Sequence, residues 1–382
     1  MTELDCHHFA AHRCQSCSLL ELSPSAARQR QLQVLQQTLQ AAPILPPVWC
    51  RQPAGSRIRA RLAAAGTTAQ PVFGFFNDRQ QVVHADDCPL HHQLLTSAIS
   101  WLSAFVTAAR LEPYSPENDR GELKFVVLTA SPSAGQLMVQ WVLRSREAVD
   151  RIRSAWRKLS AEQRGCVSVM SAGIQPRRSS RMMCEVDLPI SAEQRLRVTY
   201  PQPALALMVS PGGFIQTNYE IAGELYAAAE RTLQTIRPRR VLDLYCGSGA
   251  FAILAARCGA RALGIDVTEA SIACAEVAAT EQQLAAEFRQ CPAGAVQIED
   301  INDPFDVVIC NPPRAGLDDA TLEVLRRLSP RAILYSSCNP ATLARDLQRL
   351  EDVYQPVEFQ PFEMFPGTEH WEVLCTARLR SL

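Results

Sequence analysis

The segment VLDLYCGSGAFAILAA at residues 241–256 predicts the fold of this protein. It begins with apolar, strand-forming residues, continues with small residues that include Gly247 and Gly249, and ends with Ala, Ile and Leu at helical spacing. A strand, a glycine-rich turn and a helix in this order open a doubly wound α/β domain. Glycines let the N–H groups of the turn approach a ligand, and the helix N-terminus carries partial positive charge. We therefore predict a site for a nucleotide-type cofactor.

The identity of that cofactor stays open on this segment alone. Residues 247–252 fit the G-x-G-x-x-A pattern, which favours an NAD-dependent enzyme. Asp243 and Cys246 before the glycines form D-x-x-C-G-S-G, which is similar to the first motif of S-adenosylmethionine-dependent methyltransferases. A glycine-rich turn without a ligand is the third interpretation. Asp266 ends the next predicted strand, at the usual position of a carboxylate that binds ribose hydroxyls.

Length and composition are those of a globular protein. The chain has 382 residues, of which 47% are hydrophobic and 20% charged, which suits roughly two or three domains. It contains no apolar run of transmembrane length, and residues 1–14 lack the features of a signal peptide, so we expect a cytoplasmic protein without membrane association. The net charge of −1 gives no overall attraction to nucleic acid. Residues 141–200 carry an excess of Arg that suits phosphate contacts, although a general preference for Arg explains it equally well.

Four of the 14 cysteines follow a pattern that is typical of a metal site. Cys6, Cys14 and Cys17 have C-x7-C-x2-C spacing, and the distant Cys88 precedes a proline. Four thiolates suit a [4Fe–4S] cluster or a structural zinc ion, and their spacing does not choose between the two. Unligated thiols are a further alternative. Three histidines nearby could replace a thiolate as ligand: His7, His8 and His12.

The predicted elements divide the chain into three parts. A cysteine-rich region at 1–92 includes an amphipathic helix at 24–42. A central α+β domain at 93–200 has alternating, half-buried strands and an Arg-rich segment at 174–183, where an RNA backbone could lie. From 201 to 382, strands and helices alternate as in a parallel sheet covered by helices on both faces. The predicted fold class is therefore α/β with a Rossmann-like C-terminal domain.

Two predicted strands of the C-terminal domain end in residues that can support chemistry. FDVVICNPPR at 305–314 ends in Asn311-Pro312-Pro313, a pattern found in amino-group methyltransferases, where the Asn accepts a hydrogen bond from the amino group. An amino-group methyltransferase is thus one alternative. RAILYSSCNP at 331–340 places Cys338 at a strand end before a helix, where we expect an exposed residue that favours the thiolate.

A thiolate beside a methyl donor suits methylation at carbon 5 of uracil. That carbon is too weak a nucleophile until a thiolate adds to carbon 6. The adduct must then lose its carbon 5 proton to a base, for which Glu372 is the candidate and Glu369 and His370 are competitors. The target nucleotide must be unpaired or flipped out of its helix.

Several motifs in chain order make the sequence similar to the RNA uridine-5-methyltransferase family. They are DLYCGSGAF, CNPPRAGL, SSCNP with the downstream ARDL, and MFPGTEHWEV. The N-terminal cysteines are similar to those of the iron–sulfur-containing ribosomal branch. The resemblance implies an iron–sulfur region at 1–92, RNA binding at 93–200 and methyl transfer at 201–382. It further implies 23S ribosomal RNA as partner, with a uridine of the position-747 type as target, and no protein partner.

The resemblance also implies a role for each matching residue. The implied S-adenosylmethionine contacts are Gln216, Tyr245, Gly247, Asp266 and Asn311; the nucleophile is Cys338, the base is Glu372, and the [4Fe–4S] ligands are Cys6, Cys14, Cys17 and Cys88. Three departures from the family pattern are visible. Asp266 replaces the more usual Glu, PGGFIQTN before Gln216 is unusually Gly-rich, and FRQCPAGAVQ offers no acidic residue for the adenine amino group. A transfer-RNA uridine-5-methyltransferase, and an RNA-binding iron–sulfur protein with a vestigial methyltransferase domain, stay open as alternatives.

Overall fold

The chain forms two compact units, each built from separate stretches of sequence. They are seen in a computed structural model that describes residues 4–77, 79, 81–85, 87–175, 184–296 and 303–380. The first unit comprises Met1–Cys17, Gln52–Val198 and Val209–Thr217, and the second comprises Ser18–Arg51, Thr199–Met208 and Asn218–Leu382. Most of the predicted Arg-rich segment, residues 176–183, lies outside the described residues.

The helices and strands largely follow the sequence pattern. In chain order they are α1 (His7–Ala10), α2 (Pro24–Thr38), β1 (Arg59–Gly66), β2 (Pro71–Phe76), β3 (Val82–His84), α3 (Gln93–Ala109), β4 (Leu123–Ser131), β5 (Gln136–Leu143), α4 (Val149–Lys158), α5 (Ala161–Arg164), β6 (Val167–Ile174), β7 (Val186–Pro189), β8 (Leu196–Tyr200), β9 (Leu205–Val209), α6 (Tyr219–Ile236), β10 (Arg240–Leu244), α7 (Ala250–Arg257), β11 (Arg261–Asp266), α8 (Glu269–Glu281), β12 (Ala286–Gln290), β13 (Val307–Cys310), α9 (Asp319–Leu328), β14 (Ala332–Ser337), α10 (Pro340–Arg349), β15 (Tyr354–Phe362) and β16 (Glu372–Leu379). Among the described helices, none combines the length and the apolar character that a membrane crossing requires.

The first unit is built on a seven-stranded sheet in the order β3-β2-β1-β4-β5-β6-β7. Its pairs are antiparallel except for β5 and β6, which are parallel and are connected through α4 and α5. Helix α3 packs on one face, where Phe105 stacks on Trp141 with ring centroids 5.2 Å apart. On this unit's segment Val209–Thr217, the carbonyl of Gly213 accepts a hydrogen bond from Arg59. Strands β4 and β5 are buried along most of their length, whereas their alternating pattern predicts half-buried strands, because side chains on both faces are covered.

The two units do not follow the three predicted ranges. Strand β1, from the range 1–92, pairs with β4, from the range 93–200, so both ranges contribute to one sheet. Residues 18–51, which include α2, belong instead to the second unit. Long-range strand pairing causes this difference, and composition carries no signal for it. The assignment of one function to each range stays a prediction.

The second unit is built on a sheet in the order β12-β11-β10-β13-β14-β16-β15. Strands β12, β11, β10, β13 and β14 are parallel, as the alternation of strands and helices predicts. Strand β10 is the switch point of this order, because the chain continues to β11 on one side and returns to β13 on the other. In such sheets ligands bind at the carboxyl ends of the strands beside the switch point. The predicted α/β fold with a Rossmann-like C-terminal domain is confirmed.

Two antiparallel strands complete this sheet, whereas the alternation of strands and helices indicates a parallel one. Strand β16 lies between β14 and β15 and runs antiparallel to both. Strand β15 was not predicted, because Pro356 and Pro361 are atypical of a strand. Its position at the sheet edge tolerates them, and its pairing is irregular between Pro356 and Glu358. The antiparallel β16 brings its first residue, Glu372, to the end of the sheet where β14 finishes.

Candidate active site

The turn between β10 and α7 leaves its backbone open at one glycine. Tyr245, Gly247 and Gly249 adopt left-handed conformations, with φ of 59°, 52° and 81°. A Cβ atom placed on Gly247 would meet nothing within 4 Å, so a ligand can approach the backbone there. A Cβ on Gly249 would lie only 2.8 Å from Ala275 and from Phe288. Gly249 is therefore required for packing, whereas Gly247 leaves space beside the turn.

Asp266 at the end of β11 holds this turn. Its carboxylate accepts hydrogen bonds from the backbone N–H of Gly247 at 3.0 Å and of Thr268 at 2.8 Å. Each carboxylate oxygen has a further lone pair, so the side chain can also accept from two ribose hydroxyls. The predicted role of Asp266 is compatible with its second task of ordering the turn.

Asp243 has a structural role that the sequence did not reveal. It is fully buried in β10 and accepts a hydrogen bond from the N–H of Ala252, in the first turn of α7, at 2.9 Å. Burial, together with the nearby Asp266, raises the pKa of Asp243 to about 8, and the hydrogen bond from Ala252 opposes this shift. Because Gly249 at the helix N-cap has no side chain, this carboxyl group supplies the capping acceptor from the preceding strand.

Asn311 and Tyr245 lie at the carboxyl ends of neighbouring strands. The N–H of Asn311 donates to the carbonyl of Leu244 at 3.4 Å, which places Asn311 just beyond β13 and beside the end of β10. The Tyr245 hydroxyl lies 2.9 Å from the hydroxyl of Thr321. The structure thus brings Tyr245, Gly247, Asp266 and Asn311 to one end of the sheet.

Gln216, the remaining predicted cofactor contact, belongs to the first unit. Its side chain is buried, and within the described part of the chain its Nε2 atom has no hydrogen-bond partner. A buried amide nitrogen without a partner is costly. Its predicted cofactor contact stays a prediction.

Cys338 directly follows β14 and is half-buried. Burial raises the pKa of its thiol above the ordinary value, the negative charge of Glu372 raises it further, and Arg314 lowers it. We expected an exposed thiol that favours the thiolate. The pKa shift has the opposite direction, because desolvation and a neighbouring carboxylate outweigh the favourable cation.

Three side chains are candidates for the base, and Glu372 is the one that is buried. Burial raises its pKa to about 7, and a hydrogen bond donated by the hydroxyl of Ser336 opposes this shift. The antiparallel pairing of Ser337 with Val373 places Cys338 and Glu372 at neighbouring positions of β14 and β16. A carboxyl group that titrates near neutral pH beside a thiol is suited to proton transfer.

The competing base candidates make other contacts. Glu369 accepts a hydrogen bond from Arg30 at 3.0 Å and is exposed. His370 is exposed and its ring contacts Arg314 at 3.3 Å, and burial together with this cation lowers its pKa. Both side chains therefore contact Arg side chains at the surface of the protein.

Asp346 fastens the loop after Asn311 to the strand that precedes Cys338. It is fully buried and accepts hydrogen bonds from the Leu317 N–H at 2.8 Å and from the Tyr335 hydroxyl at 2.7 Å. Asn339, directly after Cys338, also donates to the carbonyl of Arg314 at 3.1 Å. Asp346 lies in the ARDL motif, and the sequence alone did not reveal its role. Its signal was an acidic residue on the apolar face of a helix.

The four cysteines of the predicted metal site all belong to the first unit. Burial, together with the thiols of Cys88, Cys14 and Cys6, raises the pKa of Cys17 to about 12, and Arg57 opposes this shift. The four cysteines therefore lie near one another. The four thiols, all in the described part of the chain, do not form a group whose ligand atoms lie within 4.8 Å of one another. Other side chains in that part of the chain do.

Comparison with known proteins identifies the family. The profile described as tRNA (Uracil-5-)-methyltransferase matches residues 136–378, more than half of the chain. The chain belongs to the tRNA (uracil-5-)-methyltransferase family. The resemblance predicted from the motifs is thus confirmed, and the protein is a methyltransferase. Because the chain belongs to this family, the turn at 245–249 is interpreted as that of a methyltransferase and not that of an NAD-dependent enzyme.

Two relatives of this uracil-5-methyltransferase extend the likeness over nearly the whole chain. The 23S rRNA (uracil(747)-C(5))-methyltransferase RlmC of Xenorhabdus bovienii is 34% identical over 376 residues, which cover 97% of this chain and 98% of the relative. The protein of the same name from Shewanella pealeana is 33% identical over 380 residues, with 97% and 98% covered. Among solved structures, the Pyrococcus abyssi tRNA (uracil-54, C5)-methyltransferase in complex with S-adenosyl-L-homocysteine matches with a TM-score of 0.75 at 25% identity, covering 94% of this chain and 85% of that one.

Proposed function

We propose that this protein methylates carbon 5 of a uridine in 23S ribosomal RNA, at the position that its relatives' names number 747. The observation that carries the proposal is the pairing of a thiol, Cys338, with a buried carboxyl group of pKa about 7, Glu372, on neighbouring strands. The ribosomal substrate is favoured over transfer RNA because relatives named for 23S rRNA match at 34% identity along nearly their full length, whereas the transfer-RNA enzyme matches at 25%.

The methyl donor fits the end of the sheet around β10. S-adenosylmethionine supplies the methyl group when it is bound. Asp266 is placed to accept from ribose hydroxyls, the open backbone at Gly247 allows close approach, and the buried hydroxyl of Ser248 has no hydrogen-bond partner among the described residues. Tyr245 and Asn311 complete the proposed contacts in this unit.

Cys338 and Glu372 carry out the chemistry at the base. The Cys338 thiol loses its proton to solvent, its sulfur forms a bond to carbon 6 of uracil, and the electrons of the ring double bond move toward carbon 5. With the donor bound, carbon 5 would displace the methyl group from the sulfonium, and S-adenosylhomocysteine would leave. Glu372 removes the carbon 5 proton, the double bond re-forms, and the bond from sulfur to carbon 6 breaks. Arg314 assists the first step because its positive charge lowers the pKa of Cys338.

The test is methyl transfer to 23S ribosomal RNA that lacks the modification, with labelled S-adenosylmethionine and transfer RNA as a second substrate. We expect label in 5-methyluridine at one site of the ribosomal RNA, no turnover with Cys338→Ala, and a trapped protein–RNA adduct with Glu372→Gln. Label on an exocyclic amino group, together with full activity of Cys338→Ala, would support the amino-group alternative through Asn311. RNA binding without any methyl transfer would support the vestigial alternative, and label in transfer RNA alone would overturn the ribosomal substrate.

We also propose that Cys6, Cys14, Cys17 and Cys88 hold a [4Fe–4S] cluster. A single tetrahedral zinc ion with Zn–S bonds of about 2.3 Å brings its thiolates within about 4 Å of one another. No three of these four sulfurs, all in the described part of the chain, converge to within 4.8 Å, which favours the larger cluster. Because methyl transfer moves no net electrons, a structural role is favoured over a redox role.

Metal analysis of anaerobically prepared protein tests this assignment. We expect four iron and four sulfide per chain and broad visible absorption, as such a cluster requires. Cys17→Ser should lose them, whereas Cys166→Ser, at another partly exposed cysteine of the first unit, should retain them. A colourless protein whose Cys17 variant loses one zinc ion would contradict the cluster.

A further inference from the structure

Three side chains outside the cysteine set converge in the first unit. The Nε2 atom of His8 lies 2.5 Å from one carboxylate oxygen of Asp87, and the Nε2 atom of His7 lies 3.1 Å from the other. The ligand atoms of all three side chains lie within 4.8 Å of one another. Among the described residues, this is the group of His, Cys, Asp and Glu side chains whose ligand atoms lie close enough together to hold a metal ion.

The backbone holds the two histidines in a defined orientation. The carbonyl of His8 accepts hydrogen bonds from the N–H groups of Arg13 at 2.9 Å and Cys14 at 3.2 Å, which orders the turn after α1. The two imidazole rings are tilted by 37° to one another, with centroids 4.1 Å apart. Both Nε2 atoms contact the carboxylate of Asp87.

One ligand is rigid and the other two are accessible. The His8 side chain is only 7% exposed, whereas the side chains of His7 and Asp87 are each 54% exposed. A metal ion can therefore enter from solvent and complete its coordination with water. The buried ring of His8 limits the loss of side-chain entropy on binding.

We propose that His7, His8 and Asp87 form a zinc-binding site that is separate from the four cysteines. Two neutral imidazoles and one carboxylate are an established donor set for Zn²⁺, with a remaining position for water. The carboxylate offsets part of the ion's charge, and imidazole nitrogens rank among the preferred ligands of zinc. The ion takes its place between the three groups and binds each imidazole through its Nε2 atom.

Such an ion would connect two distant parts of the sequence. His7 and His8 follow Cys6, and Asp87 precedes Cys88, and His8 and Asp87 are 79 positions apart in the sequence. A metal ion that binds both segments only in the folded state stabilises that state by its binding free energy. The zinc ion would thus fasten the segment of Cys6 and Cys14 to that of Cys88 and stabilise the first unit.

Zinc content and thermal stability test the site in the full-length protein. Protein is treated with a mild chelator, supplied with ZnSO₄, passed through a desalting column and analysed for zinc. We expect wild type to retain one zinc ion more per chain than either Asp87→Asn or His7→Gln, two changes at half-exposed side chains. Added zinc should raise the melting temperature of wild type and leave that of both variants unchanged.

The zinc content of each variant is compared with that of wild type. The difference does not depend on whether the four cysteines hold a metal or a cluster. His12→Asn is the matched control, because His12 is an exposed histidine of the same segment outside the group, and Asn tolerates its positive φ of 53°. This control should keep the extra zinc ion. Equal zinc content in wild type, Asp87→Asn and His7→Gln would overturn the proposal, and so would loss of the extra ion from His12→Asn.

Discussion

The hydroxyl of Ser336 donates a hydrogen bond to the carboxylate of Glu372, and both side chains are buried in the sheet of the second unit. Ser336 pairs with Leu374, so Glu372 is its diagonal neighbour on the same face of β14 and β16. The hydrogen bond engages one carboxylate oxygen and leaves the other available. It therefore orients the proposed base without blocking it.

Ser336→Ala should slow methyl transfer by about tenfold, the effect of removing one hydrogen bond to a charged group. The bond favours the ionised carboxylate, so its loss raises the pKa of Glu372 further above about 7. Since the base must be ionised, the acidic limb of the pH–rate profile should move to higher pH. Ser336→Thr, which keeps the hydroxyl, should behave like wild type. An unchanged acidic limb in the alanine variant would contradict this role.

The reactivity of Cys338 should respond in opposite directions to its two charged neighbours. Glu372→Gln removes a negative charge and should lower the pKa of the thiol, whereas Arg314→Gln removes a positive charge and should raise it. The measurement is the pH dependence of iodoacetamide labelling at Cys338, followed by peptide mass spectrometry with Cys166 as internal reference. Identical pH profiles for wild type and both variants would show that these charges do not act on the thiol.

Two glycines of the turn after β10 should separate ligand binding from packing. Gly249→Ala places a Cβ 2.8 Å from Ala275 and Phe288 and should destabilise the protein by about 2 kcal/mol or more. Gly247→Ala meets no atom within 4 Å and should cost only about 1 kcal/mol for its left-handed backbone, while weakening cofactor binding. Urea unfolding and calorimetric titration with S-adenosylhomocysteine measure the two effects. Equal destabilisation by both changes would refute the distinction.

Asp346→Asn should destabilise the second unit by about 3 kcal/mol, because the amide group cannot accept all the hydrogen bonds that the buried carboxylate accepts. Since Asp346 holds the loop that carries Asn311 and Arg314, methyl transfer should fall as well. The control is Asp319→Asn at an exposed ion pair with Arg349, which should cost less than about 1 kcal/mol. Comparable losses of unfolding free energy in the two variants would argue against the special role of Asp346.

Glu363 should make the protein less stable as the pH rises from 5 to 8. Burial raises its pKa from an ordinary 4.5 to about 7, despite a hydrogen bond from the Cys50 N–H and the nearby Arg28. The folded state therefore binds this proton more tightly than the unfolded state. The resulting stabilisation is complete below pH 4.5 and is lost as the pH rises through 7, a change of about 3 kcal/mol at most.

Glu363→Gln removes this dependence. The difference in unfolding free energy between wild type and Glu363→Gln should therefore shift in favour of the variant from pH 5 to pH 8. Chemical denaturation at several pH values measures it. The buried Asp243 and Glu372, whose pKa values are also raised, contribute the same trend to both proteins and cancel in the difference. A difference that is constant with pH would contradict the titration of Glu363.

The sequence was sufficient for the parts of the site that are local. The turn with Gly247 and Gly249, the strand end at Asp266 and the loop position of Cys338 follow from short-range pattern, because strand, turn and helix signals lie within a few residues. Metal-site spacing indicated the four cysteines, the need for a base made Glu372 a candidate, and the family motifs added a role for each. Strand β15 and the antiparallel direction of β16 could not be predicted in this way, since prolines obscured the strand and no local signal encodes the direction of pairing.

The sequence by itself therefore determined the α/β fold class, the family and which residue types are available for chemistry, because these depend on local periodicity and motif order. Only the tertiary structure decided the electrostatic state of those residues. Glu372 is buried beside Ser336 and titrates near neutral pH, the thiol of Cys338 is harder to ionise than its strand-end position suggests, and His8 meets Asp87 across 79 residues. Desolvation and long-range pairing set these properties, and both arise only when distant segments pack together.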